Sequence, residues 1–120
     1  MIHNLGRKQV EDEPLDAAAA TEFIRALSGP SLDLRYTEHA TSRMLERDLI
    51  VGDVLHVLKH GFVFEPGEAS TRPGLFKYRM QCITPNSNGR TVKLVLIPSP
   101  NCSVKVVTVM WADEDRQRGG

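Results

Sequence analysis

His39, Arg43 and Arg47 recur at intervals of four residues within the stretch His39-Ala40-Thr41-Ser42-Arg43-Met44-Leu45-Glu46-Arg47. On a helix of 3.6 residues per turn each interval rotates by about 40°, so the three side chains run along one stripe. An imidazole can move a proton near neutral pH, and two guanidiniums can grip phosphate oxygens through planar, bidentate contacts. That grouping suits phosphate chemistry. Ala40 and Met44 form the neighbouring apolar strip that can pack inward. A plainer reading stands beside it: Arg43 and Glu46, at i, i+3, form a surface ion pair, and Glu38 and Arg47 are solvated.

A second basic group lies further on. Lys77 and Arg79 are two apart in an alternating segment, so they share one strand face, opposite Tyr78 and Met80. Their plain alternative is the exposed side of an edge strand. Thr108, among Val106, Val107 and Val109, is either a strand former or a hydroxyl offered to a ligand. His56 and His60 could in principle share a metal, but no third ligand is near them in sequence. Glycine-rich phosphate loop, nucleophile elbow and paired-carboxylate motifs are all missing from the sequence. Cys82 and Cys102 lack metal-ligand spacing and read as small buried thiols in strands or at a strand edge.

The elements that must position these groups are legible from periodicity. Met1 to Pro14 reads as a flexible acidic lead-in. Asp16 caps a helix over about Ala17–Leu27, with an apolar stripe of Ala20, Phe23, Ile24 and Leu27, and Ser28-Gly29-Pro30 ends it. Leu32–Tyr36 is extended. Thr37 caps a second helix running to about Asp48, and Glu38 suits its positive end. A third helix over about Gly52–His60 buries Val54, Leu55 and Leu58, and Gly61 stops it.

From Phe62 onward the pattern is that of strands: Phe62–Glu65, Leu75–Ile83, Thr91–Ile97 and Val104–Trp111. Asn88-Gly89 marks a hairpin, and Ala112–Gly120 reads as a charged tail. Strands joined by such short loops are antiparallel. The expectation is one α+β domain over residues 15–111: an N-terminal helix, a short strand, and two helices packed on a twisted, largely antiparallel sheet. The helices then cover one face and leave part of the other for water or a ligand.

At 120 residues, 41% hydrophobic and 25% charged, the chain has the size and composition of a single globular domain. No apolar run reaches the length of about 18 residues needed to span a membrane, and the first residues lack the apolar stretch of a secretory signal, so a cytoplasmic location is expected. Net charge is formally zero but unevenly spread. Residues 35–111 hold ten basic and six acidic residues, whereas both ends are acidic. A surplus of four is compatible with an anionic partner for the body of the chain.

The stretch Tyr36–Trp111 resembles a family of small bacterial proteins classed as a domain of unknown function. The resemblance rests on His39 to Arg47 (His-Ala-x-x-Arg-Met-x-x-Arg), on Leu58-Lys59-His60-Gly61, and on Val106-Val107-Thr108-Val109. After Arg47 this chain has Asp48-Leu49-Ile50-Val51-Gly52 where the family usually shows Gly-Ile-Ser, so the next cap must come from Gly52 or Asp53. That family is in turn similar to the RelE/ParE-like toxins, with two helices on a twisted antiparallel sheet. The RelE-like members are metal-independent ribonucleases whose partners are antitoxins and, for some, the ribosome.

The resemblance implicates His39, Arg43 and Arg47 in catalysis. It implies Lys77, Arg79 and Thr108 as RNA-binding sheet residues near the helix stripe. It implies no metal and no cofactor. The expected reaction is attack of an RNA 2′-hydroxyl on the adjacent phosphate, with His39 as general base or acid and the arginines stabilising developing charge. Two other readings remain: a non-catalytic module that docks nucleic acid or protein through the same basic stripe, and half of an obligate hetero-complex.

Overall fold

The computed structural model describes residues 13–114. Residues 1–12 of the acidic lead-in and 115–120 of the tail lie outside that range. The first helix, α1 (Ala17–Leu27), begins where Asp16 accepts the Ala19 amide hydrogen at 2.9 Å. It buries Ala20, Thr21, Ile24 and Leu27. It ends as the Ser28 N–H bonds back to the Arg25 carbonyl. Both ends match the sequence reading.

Strand β1 (Asp33–Tyr36) leads into α2 (Glu38–Glu46). Thr37 has two roles there: its Oγ1 accepts the Ala40 N–H at 3.0 Å and donates to the Val107 carbonyl at 2.7 Å, pinning the helix start to the last strand. The helix stops two residues before Asp48. The Asp48 N–H bonds to the Leu45 carbonyl and the Leu49 N–H to the Met44 carbonyl. Asp48 sits at φ 56°, in the left-handed position that glycine usually fills in this type of helix ending.

Helix α3 (Val51–His60) starts one residue earlier than its composition suggested. Ile50 is the capping position but has no polar side chain. Asp53, inside the first turn, supplies the acceptor instead: its Oδ2 takes the Ile50 N–H at 2.9 Å. Asp53 is 1% exposed and also accepts from Thr84 at 2.5 Å and Asn86 at 2.9 Å. Gly61 ends the helix as expected, with extended backbone at φ −77°. A glycine is needed there because a Cβ would fall 2.6 Å from the Val57 carbonyl oxygen.

The remaining strands are β2 (Phe62–Val63), β3 (Glu68–Ala69), β4 (Phe76–Ile83), β5 (Thr91–Ser99) and β6 (Ser103–Trp111). The sheet runs β1-β6-β5-β4-β2, and β3 pairs with β4 off this path. Every pairing is antiparallel except β1 with β6, which is parallel with Asp33 opposite Ser103 and Tyr36 opposite Val106. Asn88 and Gly89 both have positive φ in the β4–β5 turn, as the hairpin signal requires.

The architecture is α+β with a largely antiparallel sheet. One core joins Ile24, Val54, Leu58, Met80, Leu94 and Val106, and it also contains Ala40 and Met44 of α2. The helices therefore share one sheet face. The α1 helix also protects an edge: Thr21 accepts the Val63 N–H at 2.9 Å, occupying a backbone group of edge strand β2 that would otherwise await another strand. The segment after β6 is not simply a tail, because residues 112–114 make a helical turn.

Candidate functional site

The helical stripe exists, but its three members have different surroundings. His39 is exposed at the start of α2. Arg43 Nε lies 3.4 Å from His39 Nε2, a long contact in which the imidazole nitrogen accepts. Arg43 also pairs with Glu46 at 2.9 Å, on the exposed side of the helix. Arg43 first, and Arg47 beside it, hold the Glu46 carboxyl below its ordinary pKa.

Arg47 is half-buried and fully engaged. Its side chain is 16% exposed, and it donates Nε to Glu114 Oε2 at 2.7 Å, a terminal nitrogen to Glu114 Oε1, and the other terminal nitrogen to Glu46 at 3.0 Å. Glu114 is held down to about 2 by these bonds. The sequence spacing correctly put the three side chains in one row. The residue that separates their roles, Glu114, lies in what read as a charged tail.

Lys77, Arg79 and Thr108 form a second group on the other side of the sheet. Met80, Leu94, Val106 and Val109 share the core with α2, so the strand neighbours that alternate with them face away from the helices. Thr108 reaches that face through an irregularity. The pairing shifts from Val95–Thr108 to Leu96–Val106, leaving Val107 as an extra residue. Val106 and Val109 thus both point inward although three apart, and the bulge turns Thr108 outward beside Val95.

On the same face Arg79 lies opposite Val95 and pairs with Glu68 at 2.7 Å. Lys77, opposite Glu68 in register, has no ion pair among the described residues. The helix stripe and the sheet group therefore do not form one pocket.

The β1 edge carries cations that the sequence reading did not single out. Arg35 of β1 is the register neighbour of Lys105 of β6. Together with Arg72 they line a cleft of about 190 Å³ whose other polar walls are Thr71, Ser99 and Ser103. An overlapping hollow of about 420 Å³ extends past Asp33 and Asn101. Arg35 is held by Asp33 in an exposed pair, whereas the Arg72 guanidinium and the Lys105 ammonium have no partner among the described residues. Three cations and three hydroxyls around one cleft make a receptor for an anionic oxygen-rich group such as phosphate. The available signal was the alternation of Arg35 with half-buried Leu34 and Tyr36 and of Lys105 with buried Val104 and Val106. Their adjacency depends on the parallel β1–β6 pairing, which no local pattern reveals.

The other candidates have modest settings. His56 and His60 have ring centroids 4.7 Å apart, and among the described residues no group of three or more His, Cys, Asp or Glu side chains converges. Cys82 lies half-buried in β4, where burial pushes its thiol up. Cys102 is half-buried in the β5–β6 turn, at φ 61°, rather than in a strand. No helix among the described residues is long and apolar enough to cross a membrane.

No curated protein and no solved structure matches the chain. One family model does match, over residues 36–111, the span that runs from the end of β1 through α2, α3 and the sheet to the end of β6. The N-terminal helix α1 lies outside it. With well over half of its length covered, the chain belongs to the family of the domain of unknown function DUF4258.

Proposed function

We propose that the chain is a metal-independent endoribonuclease of the RelE-like kind, in which a 2′-hydroxyl of bound RNA attacks the adjacent phosphate. The observation that carries this reading is the contact of His39 with Arg43, an imidazole held beside a guanidinium on an exposed helix face. His39 takes the 2′-hydroxyl proton as the O2′–P bond forms. The P–O5′ bond breaks to leave a 2′,3′-cyclic phosphate, the departing 5′-oxygen takes a proton from the imidazolium, and Arg43 stabilises charge on the phosphoryl oxygens. Arg43 is available despite its pair with Glu46, because such exposed ion pairs contribute little and exchange readily for a phosphate. Arg47 belongs to the frame: leaving Glu114 would strand a carboxylate that is only 26% exposed. An antitoxin or the ribosome are the partners this reading proposes.

A specific observation favours a second reading, a non-catalytic RNA-binding module. Both arginines of the stripe already have carboxylate partners, and the cation-lined cleft lies beyond the β1 edge rather than beside His39. One experiment separates the two. Wild type and His39→Ala are incubated with mixed RNA in EDTA. The ribonuclease reading expects cleavage that falls about 10²–10⁴-fold in the variant. Equal cleavage by both rejects His39, and no cleavage with retained, salt-sensitive binding selects the module.

A further inference from the structure

Phe64 is 66% exposed and Phe62 50% exposed, Phe62 within β2 and Phe64 immediately after it. They sit at the β2 end of the face that the helices leave uncovered. Phe62 is opposite Gln81 in register, and Phe64 lines a shallow hollow of about 90 Å³ with Glu65, Arg79, Gln81 and Lys93. The two rings are 6.2 Å apart and tilted by 35°. Arg25 reaches round from α1 and lies 4.5 Å over Phe62, anchored by bonds to the Gly61 and His60 carbonyls. One side of Phe62 is therefore taken, and Phe64 is the ring with room for a planar ligand.

The surroundings decide what that ligand is. A protein-docking patch would continue with apolar neighbours, but here the neighbours are all polar: two cations, an amide and the Glu65 carboxylate. Aromatic rings flanked by cations on a sheet face are suited to unpaired bases, which stack on the rings while the cations follow the backbone. At the opposite end of the same face lies the Arg35, Arg72 and Lys105 cleft. Between the two ends, Lys77, Arg79 and Thr108 face the same way. Five strands at about 4.8 Å spacing set the ends about 20 Å apart, a span suited to a few nucleotides.

We propose that this uncovered face is a track for single-stranded RNA, with the backbone phosphates seated in the Arg35–Arg72–Lys105 cleft and a base stacked on Phe64. The proposal rests on the ribonuclease reading only for what happens next. Arg35 and His39 are four positions apart, at most about 14 Å of chain. A strand leaving the cleft over the β1 edge therefore brings a following phosphate to the α2 stripe. The track accounts for how groups on opposite sides of the sheet serve one substrate.

The test is binding of a fluorescently labelled 12-nucleotide RNA to the full chain in EDTA, followed by anisotropy across a salt series, with His39→Ala as the parent to prevent cutting. Phe64→Ala is expected to weaken single-strand binding about 5- to 100-fold, the loss of one stacked base. Arg72→Ala and Lys105→Ala are each expected to lower the slope of log affinity against log salt by about 0.7. A duplex of the same sequence should bind more weakly and be indifferent to Phe64→Ala. The track is overturned if no RNA binds, if Phe64→Ala binds like its parent, or if the salt slope is unmoved by both cation substitutions. The variants alter exposed or cleft-lining positions, and a thermal melt verifies folding. Cleavage is scored separately. Binding without cutting by wild type rejects the ribonuclease and leaves the track, whereas cutting with a KM unmoved by Phe64→Ala rejects the track alone.

Discussion

Arg47, at the end of α2, donates two guanidinium nitrogens to the carboxylate of Glu114, 67 residues later in the chain, with Nε 2.7 Å from Oε2. The same carboxylate accepts the Trp111 N–H at 3.0 Å. Trp111 in turn carries Arg90 4.1 Å over its ring, and Arg90 pairs with Asp113 at 3.0 Å. The residues that follow β6 are thus clamped to the end of the helix that presents His39. The bidentate geometry distinguishes this pair from the exposed pairs on the same helix.

Removing the clamp should cost more than removing any other ion pair of α2. Glu114→Ala leaves Arg47 mostly buried beside Glu46 alone and deprives the Trp111 N–H of its acceptor. A loss of about 1–3 kcal/mol is expected, between the values for exposed and buried pairs. Arg43→Ala breaks an exposed pair and the long contact with His39, and should leave the urea midpoint nearly unchanged. Equilibrium unfolding in urea measures both, and equal effects would show that Glu114 is not anchored.

The clamp also sets an acid dependence. Glu114 titrates near 4.5 ordinarily and is held to about 2 in the fold by Arg47. A depressed carboxylate contributes stability that is complete above about pH 4.5 and disappears as pH falls toward about 2. Glu114→Gln should therefore flatten the fall in stability over that interval. Part of the fall will remain, because Glu46 and Asp53 are also held below their ordinary values. Denaturant melts at several pH values between 2 and 5 provide the comparison, and parallel acid limbs would contradict the assignment.

Local pattern recovered what local forces determine. The Asp16 cap, the α1 stripe and the period-two alternation of β4 are each set by neighbours within a few residues, and all three are in the structure. What escaped depends on distant partners. Glu114 sits in a short charged run with no periodicity, and only the fold brings it to Arg47. The outward aim of Thr108 follows from the extra residue Val107, which a run of valines does not disclose. Arg35 meets Lys105 because β1 returns parallel to β6, a pairing with a long intervening connection. The candidate catalytic row was therefore legible as a row, and its division into exposed and clamped members was not.

Asp48 offers a gain rather than a loss. Its φ of 56° is costly for a residue with a Cβ, and its carboxylate stands at the negative end of α2. The contact it accepts from Asn86, at 3.5 Å, uses its backbone carbonyl and survives substitution. Asp48→Gly should raise stability by about 0.5–1 kcal/mol, despite the added freedom of the unfolded chain. Thermal or urea unfolding tests it, and a decrease would mean that the side chain has a stabilising contact.

Asp53 is the opposite case, a buried carboxylate that three donors need. Burial pushes its carboxyl up, but bonds from the Ile50 amide and from the Thr84 and Asn86 side chains outweigh that and hold it below the ordinary range. These bonds fasten the start of α3 to the β4–β5 turn. Asp53→Ala leaves those donors with no acceptor and should cost about 3–4 kcal/mol. Asp53→Asn has a milder consequence. Its amide oxygen can stay with Ile50 and Asn86, while its NH2 donates to a Thr84 hydroxyl that rotates to accept. A loss of about 1–2 kcal/mol is expected for Asn. Urea unfolding of both variants measures the difference, and an Asn variant as unstable as the Ala variant would show that the negative charge, not the hydrogen-bond count, holds the turn.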